Sequence, residues 1–358
     1  MSHPRTVKEE IEMTIGLDIG DEYIHYVKID KAGEVVDRGR FFTNKNSLRR
    51  QLFVQERWRV VLEAGIHSGW VNRELGELRH EVIVANARQI PLIYANERKN
   101  DDQDAERLAR VGRLDVKLLK PIAPRSERTQ ATRALIRSRD VAVQTRTKIV
   151  NSIRGTVKAM GGRIPVCSAS SFWKKSGGHI PETLKATLAP LLAVLAKLEE
   201  TLKQYDGEIE RIAETEFPAT ALLRGIRGVG PLTSLAFVTA IEDPTRFQSS
   251  RDVGAYFGLV PKRKQSSEYD PQLRISKAGD AYVRQLLVLA AHYILGPFGE
   301  DCDLRRHGER IHANGGKTAK KRAVVTVARK LAVLLHRLWI TGQEYEPLRG
   351  HLTQPQVA

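Results

Sequence analysis

The sequence predicts a chain of three parts: an α/β domain, a long helical spacer, and a mainly helical C-terminal domain. Short apolar runs of strand length fill the first part, and strand–helix alternation follows them. A heptad repeat of apolar residues marks the spacer, and a change of composition at Pro218 marks the start of the last part. We therefore place the domains at 1–124, 125–217 and 218–358.

The N-terminal domain opens with strand-like segments and continues with alternating helices and strands. The first three strands are predicted at 13–19, 23–29 and 35–42, with hairpin-type turn residues at 30–33. The later elements are a strand at 57–62, a helix at 70–80, a strand at 82–85 and an amphipathic helix at 103–113. This order is typical of an RNase H-like (RuvC-like) arrangement, in which helices pack against a mixed sheet.

The spacer is predicted to contain two long helices. Residues 125–160 are helical and strongly basic, and a break rich in Gly, Pro and Ser follows at 161–178. Apolar residues then recur at alternating spacings of three and four from Leu184 to Ile212, over about 29 residues or roughly 44 Å of helix. This heptad repeat predicts a coiled coil, loosened at Pro190 and Gly207. Its partner is either the preceding helix of the same chain or a second copy of the chain.

The charge balance favours a nucleic-acid partner. The chain has 58 Lys and Arg against 42 Asp and Glu, a net charge of +16 and a pI near 9.9. A surplus of this size promotes binding to phosphate backbones without specifying sequence or chemistry. Two cysteines give no disulfide framework, and no segment has the length of a membrane span or an apolar signal core. We therefore expect an intracellular protein with no membrane partner.

Four carboxylates occupy positions where an RNase H-like fold holds metal ions. Asp18 interrupts one apolar run and Glu63 ends another, while Asp101 and Asp104 share one face at the start of a helix. A carboxylate at the end of a buried strand is costly unless a cation or hydrogen bonds compensate it. Because Mg²⁺ prefers such oxygen ligands, the set predicts a Mg²⁺ site for phosphoryl transfer on nucleic acid. Asp102 points elsewhere on the helix and is not counted as a ligand.

Each carboxylate also has a simpler explanation. Asp18 could terminate a strand, Glu63 could form a buried ion pair, and acidic residues in a first helical turn interact well with the helix dipole. A different alternative interprets residues 16–20 as the first phosphate loop of an actin-like or sugar-kinase ATPase. Such a protein should repeat the motif about one domain later, and the sequence contains no convincing second copy.

The C-terminal part yields three further expectations. The glycine-rich segment 225–231 followed by an apolar helix is similar to a helix-hairpin-helix turn, although an ordinary turn between helices explains it as well. Ser276 is predicted to cap the helix over 281–289. Cys302, His307 and His312 are spaced unlike zinc ligands and are interpreted as surface residues.

Several motifs occur in a characteristic order between residues 225 and 290. They are Gly-Val-Gly-Pro at 228–231, Phe247, Ala-Tyr-Phe-Gly-Leu-Val-Pro at 255–261, Ser266, and Ile-Ser-Lys-Ala-Gly at 275–279. Together they resemble the C-terminal domain of the DEDD insertion-sequence transposases, the bridge-RNA-guided serine recombinases related to the Piv and MooV invertases. The N-terminal half is similar to the same family at 16–18, 61–65 and 99–105, so the resemblance covers nearly the whole chain.

The resemblance implies a specific chemistry. Asp18, Glu63, Asp101 and Asp104 would hold Mg²⁺ in a RuvC-like domain, and a serine after the Gly-Leu-x-Pro motif would attack DNA. By position this nucleophile is Ser266. Family members usually have glycine after this serine, whereas Ser267 follows here and is the second candidate.

The resemblance also implies partners and a location. Donor and target DNA would be cut and rejoined through a phosphoserine, guided by a structured noncoding bridge RNA. A homodimer or homotetramer would act in the prokaryotic cytoplasm, in association with the nucleoid. Two alternatives stay open: a RuvC-like structure-selective nuclease that uses water, and an RNA-binding scaffold with a decayed site.

Phosphate contacts are expected from three basic regions. These are the spacer, the surroundings of Ser266, and the last helix, predicted at 319–339. The residues are Arg133, Arg137, Arg146, Lys148, Arg154, Lys262, Arg263, Lys264, Lys277, Lys320, Lys321 and Arg322.

Overall fold

The computed structural model describes residues 11–86, 101–263 and 273–349. Its contacts divide the chain into two compact units, Met1–Arg128 and Thr129–Ala358. The finer division into three domains stays a prediction. Within the described ranges, no helix combines the length and apolar character needed to cross a membrane.

A mixed five-stranded sheet forms the centre of the first unit. Its strands are β1 Thr14–Ile19, β2 Tyr23–Ile29, β3 Val35–Phe42, β4 Arg59–Glu63 and β5 Glu81–Ala85. They lie in the order β3-β2-β1-β4-β5, with β1, β2 and β3 antiparallel and β1, β4 and β5 parallel. The predicted strands and the hairpin turn between β2 and β3 are confirmed, with Gly33 in the left-handed region at φ +91°.

Helices cover both faces of this sheet. Helices α1 (Lys45–Leu52) and α2 (Ser68–Glu77) pack on the face that carries Leu17 and Leu62. Helix α3 (Asp101–Leu114) packs on the other face, where its alanines contact Val27. Because successive strand residues point to opposite faces, every second residue of β1 and β2 faces α3.

Helix α3 approaches β1 closely at Gly16. A Cβ atom at position 16 would lie 1.9 Å from the carbonyl oxygen of Ala105, which is shorter than any non-bonded contact. A second close contact lies along the same helix, where a Cβ atom at Gly112 would lie 2.4 Å from a methyl carbon of Val61. The two glycines therefore let the helix backbone rest directly on β1 and β4.

The second unit contains a pair of long antiparallel helices. They are α4 (Glu127–Ala159) and α6 (Glu182–Thr215), and the short helix α5 (Phe172–Lys175) lies between them in sequence. Ion pairs join Arg139 Nε to Asp206 Oδ1 and Arg146 Nη1 to Glu199 Oε1, each at 2.6 Å. Arg146 follows Arg139 along α4, whereas its partner Glu199 precedes Asp206 along α6. The two helices therefore run in opposite directions.

The heptad residues of α6 pack within their own chain. Leu188 and Leu195 share a buried cluster with Val150, Ile153 and Val157 of α4. Of the two partners considered from sequence, the structure therefore provides the preceding helix of the same chain. Helix α6 also continues through Pro190 and Gly207 as one element.

The remaining helices surround an apolar core. They are α7 Ala219–Leu223, α8 Pro231–Ile241, α9 Asp252–Tyr256, α10 Ala281–Ile294, α11 Asp303–Ala313 and α12 Ala319–Thr341. Helix α8 is buried over most of its length and contributes Phe237 to this core, which also includes Ile209 of α6 and Leu331 of α12. Short 3₁₀ turns occur at Val116–Leu119, Ala169–Ser171, Gly177–His179 and Pro244–Arg246.

Two expectations for the C-terminal part were wrong. Asp280, not Ser276, caps α10, and its Oδ1 accepts hydrogen bonds from the N–H groups of Tyr282 (2.9 Å) and Val283 (3.1 Å). The intervening chain passes through a left-handed Gly279 at φ +68°, so the helix cannot begin earlier. Cys302 is buried rather than on the surface, because it packs in the apolar core, and its Sγ also caps α11.

The contact at Gly16 gives a test of the first unit. Gly16→Ala should lower the free energy of unfolding by about 1–3 kcal/mol or more. The new methyl group would clash with backbone atoms, which cannot move aside by changing a side-chain rotamer. Gly76→Ala is the matched control, since nothing lies within 4 Å of its Cβ position. The control should be neutral or more stable by about 0.5–1 kcal/mol, because alanine favours a helix. Urea unfolding of both variants measures the difference, and equal stability would contradict the close approach.

Candidate functional site

Two parallel strands and one helix bring the predicted carboxylates to one edge of the sheet. Asp18 lies near the carboxyl end of β1 and Glu63 ends the neighbouring strand β4. Alternation along the strands puts both on the face that α3 covers. Helix α3 begins at Asp101, so its first turn carries Asp101 and Asp104. The sequence-predicted set of four therefore shares one region of the first unit.

The other three carboxylates act electrostatically on Asp18. Burial, followed by the negative charges of Asp101, Asp104 and Glu63, raises the pKa of Asp18 to about 6. His25 acts in the opposite direction and lowers this pKa. Negative charge is therefore concentrated at this edge of the sheet, although the whole chain carries a net charge of +16.

The donor set fits a hard cation in its chemistry. All four side chains present carboxylate oxygens, which Mg²⁺ prefers, and a cation would relieve the repulsion around Asp18. In the part of the chain that the structure describes, no three His, Cys, Asp or Glu side chains form a group that could hold a metal ion.

His25 belongs to the surroundings of this site and was not identified from the sequence. It pairs directly with Asp18 in the β1–β2 register. Its Nδ1 lies 2.7 Å from Asp102 Oδ1, and its Nε2 lies 3.8 Å from Asp101 Oδ2. Asp102, which the sequence excluded as a ligand, thus contacts this histidine. The available signal was the short β1–β2 hairpin, which puts His25 opposite Asp18.

The serine predicted as nucleophile lies outside the described residues, as do Ser267 and Lys264. The described chain on either side of this segment is held together, because the N–H of Lys262 donates to the carbonyl of Arg274 at 2.9 Å. Pro261 and Ile275 also form an isolated antiparallel bridge.

Two of the motifs that carry the resemblance contact each other. A Cβ atom at Gly258 would lie 2.3 Å from the backbone nitrogen of Ala278, and one at Gly279 would lie 2.0 Å from the carbonyl oxygen of Tyr256. Both glycines are left-handed, at φ +66° and +68°. Glycine is therefore required in both motifs, for backbone conformation and for close packing.

The predicted phosphate-binding residues fall into two groups. Arg133 pairs with Asp280, and Arg146 pairs with Glu199. Arg154 donates to the carbonyls of Ile164 (2.8 Å) and Pro165 (3.1 Å), so these three arginines have internal partners. The other described members are exposed: Arg137, Lys148, Lys262, Arg263, Lys277, Lys320, Lys321 and Arg322.

Comparison with known proteins identifies the family. A family model for DEDD transposases of the IS110 type matches residues 15–161, and a model for the Transposase IS116/IS110/IS902 family matches residues 220–298. The chain belongs to the IS116/IS110/IS902 family of transposases. The first match includes all four carboxylates, and the second includes Ser266.

Relatives of this transposase are similar over most of its length. The transposase for insertion sequence element IS1111A of Coxiella burnetii is 26% identical, covering 92% of this chain and 90% of the relative. A probable family 20 transposase of Pseudomonas aeruginosa is 29% identical, covering 81% and 86%. The pilin gene-inverting protein of Moraxella lacunata is 30% identical over a shorter region, 38% of this chain and 42% of the relative.

The raised pKa of Asp18 predicts how stability depends on pH without divalent cations. The folded state binds a proton at Asp18 up to about pH 6, whereas the unfolded carboxyl loses it near pH 4. Ionised Asp18 therefore destabilises the fold above pH 6, and this effect disappears below pH 4. Asp18→Asn should melt a few degrees above wild type at pH 7.5 in chelator, and the gap should close as the pH falls.

Asp37→Asn is the matched control, and its effect on the melting temperature should have the opposite sign. A hydrogen bond from Lys28, 2.9 Å away, lowers the pKa of Asp37, so its ionised form stabilises the fold. This variant should melt below wild type at neutral pH and converge with it in acid. If Asp18→Asn followed the same pattern as Asp37→Asn, carboxylate repulsion at the site would be refuted.

Proposed function

We propose that this transposase cuts and rejoins donor and target DNA at a Mg²⁺ site formed by Asp18, Glu63, Asp101 and Asp104. One geometric observation carries the proposal: β1, β4 and the first turn of α3 bring these carboxylates to the same sheet edge. The mixed sheet with helices on both faces also supports a RuvC-like fold for the first unit.

The residues around this site would prepare it for an ion. When bound, Mg²⁺ would neutralise charge on a DNA phosphate and stabilise the leaving oxygen. The close contact of α3 with Gly16 fixes the backbone that carries Asp101 and Asp104. His25, held by Asp102, limits the freedom of the helix start. The carboxylates are therefore held on backbone elements that share one end of the sheet.

The proposed nucleophile is Ser266. Its Oγ would form a bond to phosphorus as the bond from phosphorus to a sugar oxygen breaks. The serine proton passes to a nearby base, and the leaving sugar oxygen takes up a proton. A sugar hydroxyl of the exchanged strand then attacks the phosphoserine, which releases Ser266 and rejoins the DNA. Exposed Lys262 and Arg263, with Lys264, would position the phosphate.

Guidance by a bridge RNA is part of the proposal. Base pairing would select the DNA sequences, and the protein would hold the folded RNA by shape and phosphate contacts. The exposed basic residues of α4 and α12 support this role, among them Arg137, Lys148 and Lys320. A homodimer or homotetramer would supply the several cleavages of one recombination event. Within each chain, α4 and α6 would pack as a coiled coil. This activity would take place at the nucleoid of a prokaryotic cell.

Removing one carboxylate tests the metal site. Asp18→Asn should reduce Mg²⁺-dependent cleavage of donor DNA on the order of 100-fold or more, because the ion loses an anionic ligand on buried β1. Binding of RNA and DNA should persist. Asp37→Asn removes the same charge from the same sheet away from the site and should cleave normally. Wild-type cleavage in excess chelator, or full activity of Asp18→Asn, would refute the metal site.

A covalent adduct separates a recombinase from a nuclease that uses water. Wild type should leave protein attached to labelled donor DNA on a denaturing gel, and peptide mapping should locate the link at Ser266. Ser266→Ala should abolish both cleavage and adduct while binding survives, whereas Ser276→Ala serves as a control with normal cleavage. Loss of the adduct in Ser267→Ala alone would transfer the role to Ser267. Cleavage by wild type without any adduct would show hydrolysis by water.

A further inference from the structure

Two aromatic side chains and one arginine lie beside the carboxylates on the same face of the sheet. Tyr23 of β2 stacks on Phe42 of β3, with ring centroids 5.0 Å apart and planes inclined by 28°. The guanidinium carbon of Arg40 lies 4.4 Å from the centre of the Tyr23 ring. We call Tyr23, Arg40 and Phe42 the aromatic platform. The Phe42 side chain stays 54% exposed and Arg40 is also exposed.

The strand register fixes where the aromatic platform lies. Asp18 pairs with His25, and His25 pairs with Arg40, so these three residues form a row across β1, β2 and β3. Tyr23 and Phe42 form the next row on the same face, because Tyr23 lies two residues before His25 on β2 and Phe42 lies two residues after Arg40 on β3. Neighbouring strands are about 5 Å apart and alternate residues of a strand about 7 Å apart, so the platform lies within about 12 Å of Asp18.

The platform residues differ from their neighbours on the opposite face. Ile24 and Phe41 pack into the buried cluster under α1 and α2. On the α3 side, Arg38 reaches Glu106 of α3, with 3.5 Å between Arg38 Nη2 and Glu106 Oε2. Arg40 and Phe42 lie further toward the edge that carries the carboxylates, where Phe42 presents an accessible ring. A cross-strand aromatic pair stabilises a hairpin, but that role does not require an exposed face beside a charged site.

We propose that the aromatic platform stacks an unpaired nucleobase of the DNA strand that is cut at the carboxylates. This inference rests on the proposed function of those carboxylates. Every base has a π-face, so stacking on Phe42 and Tyr23 would hold single-stranded DNA without reading its sequence. Arg40 would supply positive charge for the adjoining phosphate. Such an anchor is useful here because the carboxylates repel the phosphate backbone that must approach them.

Binding of single-stranded DNA by the full-length protein tests the platform without any cleavage. Fluorescence anisotropy in chelator should show that Phe42→Leu and Tyr23→Leu weaken binding of a labelled oligothymidylate by between about 5-fold and about 150-fold. Leucine keeps an apolar cross-strand contact, so the hairpin should survive, and a thermal melt checks this. Tyr23→Phe should bind as wild type does, because it retains the ring.

Two controls isolate the role of stacking. Phe53→Leu changes another exposed phenyl ring, 74% accessible, which follows α1 and lies away from the carboxylates, and it should leave affinity unchanged. An oligonucleotide of the same length made of abasic nucleotides should bind wild type and Phe42→Leu equally. Photo-cross-linking with 5-iododeoxyuridine should attach DNA to the peptides that contain Tyr23 or Phe42.

The outcomes separate this inference from the proposed function. Unchanged DNA affinity in Phe42→Leu and Tyr23→Leu, with no cross-link at either peptide, would overturn the platform even if Asp18→Asn were inactive. Cross-linking to an iodouridine RNA but not to DNA would also overturn it and assign the surface to RNA. Conversely, DNA could cross-link to the platform while the Asp18→Asn variant cleaves DNA normally. That result would support the platform and refute the metal site.

Discussion

The close approach of α3 to β1 at Gly16 is the constraint on which the first unit depends. A side chain of any size at this position would meet the backbone of Ala105, so the helix could not lie where it does. With glycine there, α3 rests on the sheet and its first turn lies over the carboxyl ends of β1 and β4. The geometry of the carboxylates therefore follows from a missing side chain rather than from any contact that the carboxylates make.

This arrangement concentrates negative charge in a strongly basic protein. Asp18 is partly buried among like charges, which costs stability, and such local conflicts are expected at functional sites. His25 and Arg40 continue the same row across the sheet with nitrogen-containing side chains in place of carboxylates. A phosphate that approaches this edge therefore meets repulsion from the carboxylates and attraction from Arg40 within a short distance. A divalent cation would reverse the first effect and leave the second unchanged.

In the second unit, many basic side chains form ion pairs within the unit. Several arginines of α4 are engaged inside the unit, where Arg139 and Arg146 set the register of the antiparallel pair with α6. Removing one partner of such a half-buried pair leaves the other charge unsatisfied, so these contacts select one register against others. The net charge of the chain thus overstates the charge available to nucleic acid. The exposed basic residues, such as Lys148 and Lys321, are the ones left for that role.

The sequence by itself determined the main elements, the candidate site residues and the family. Apolar periods located the strands of the sheet and the long helices, and interruptions of apolar runs identified Asp18 and Glu63 as candidate site residues. Motif order identified the transposase family, because several independent motifs in one order are specific even though each is weak alone. These signals are local, and a period or a short motif is contained within a few turns or one strand.

The tertiary structure decided everything that depends on which distant residues meet. Strand register aligned Tyr23 with Phe42 and His25 with Arg40, although neither pairing follows from a local period. Helix packing decided that the heptad residues of α6 face α4 and that Cys302 is buried. It also decided which arginines are internal, because a basic residue on a helix looks the same in sequence whether it faces solvent or a carboxylate. The physical reason is that register and packing minimise the energy of the whole unit, whereas sequence patterns report only the preferences of single elements.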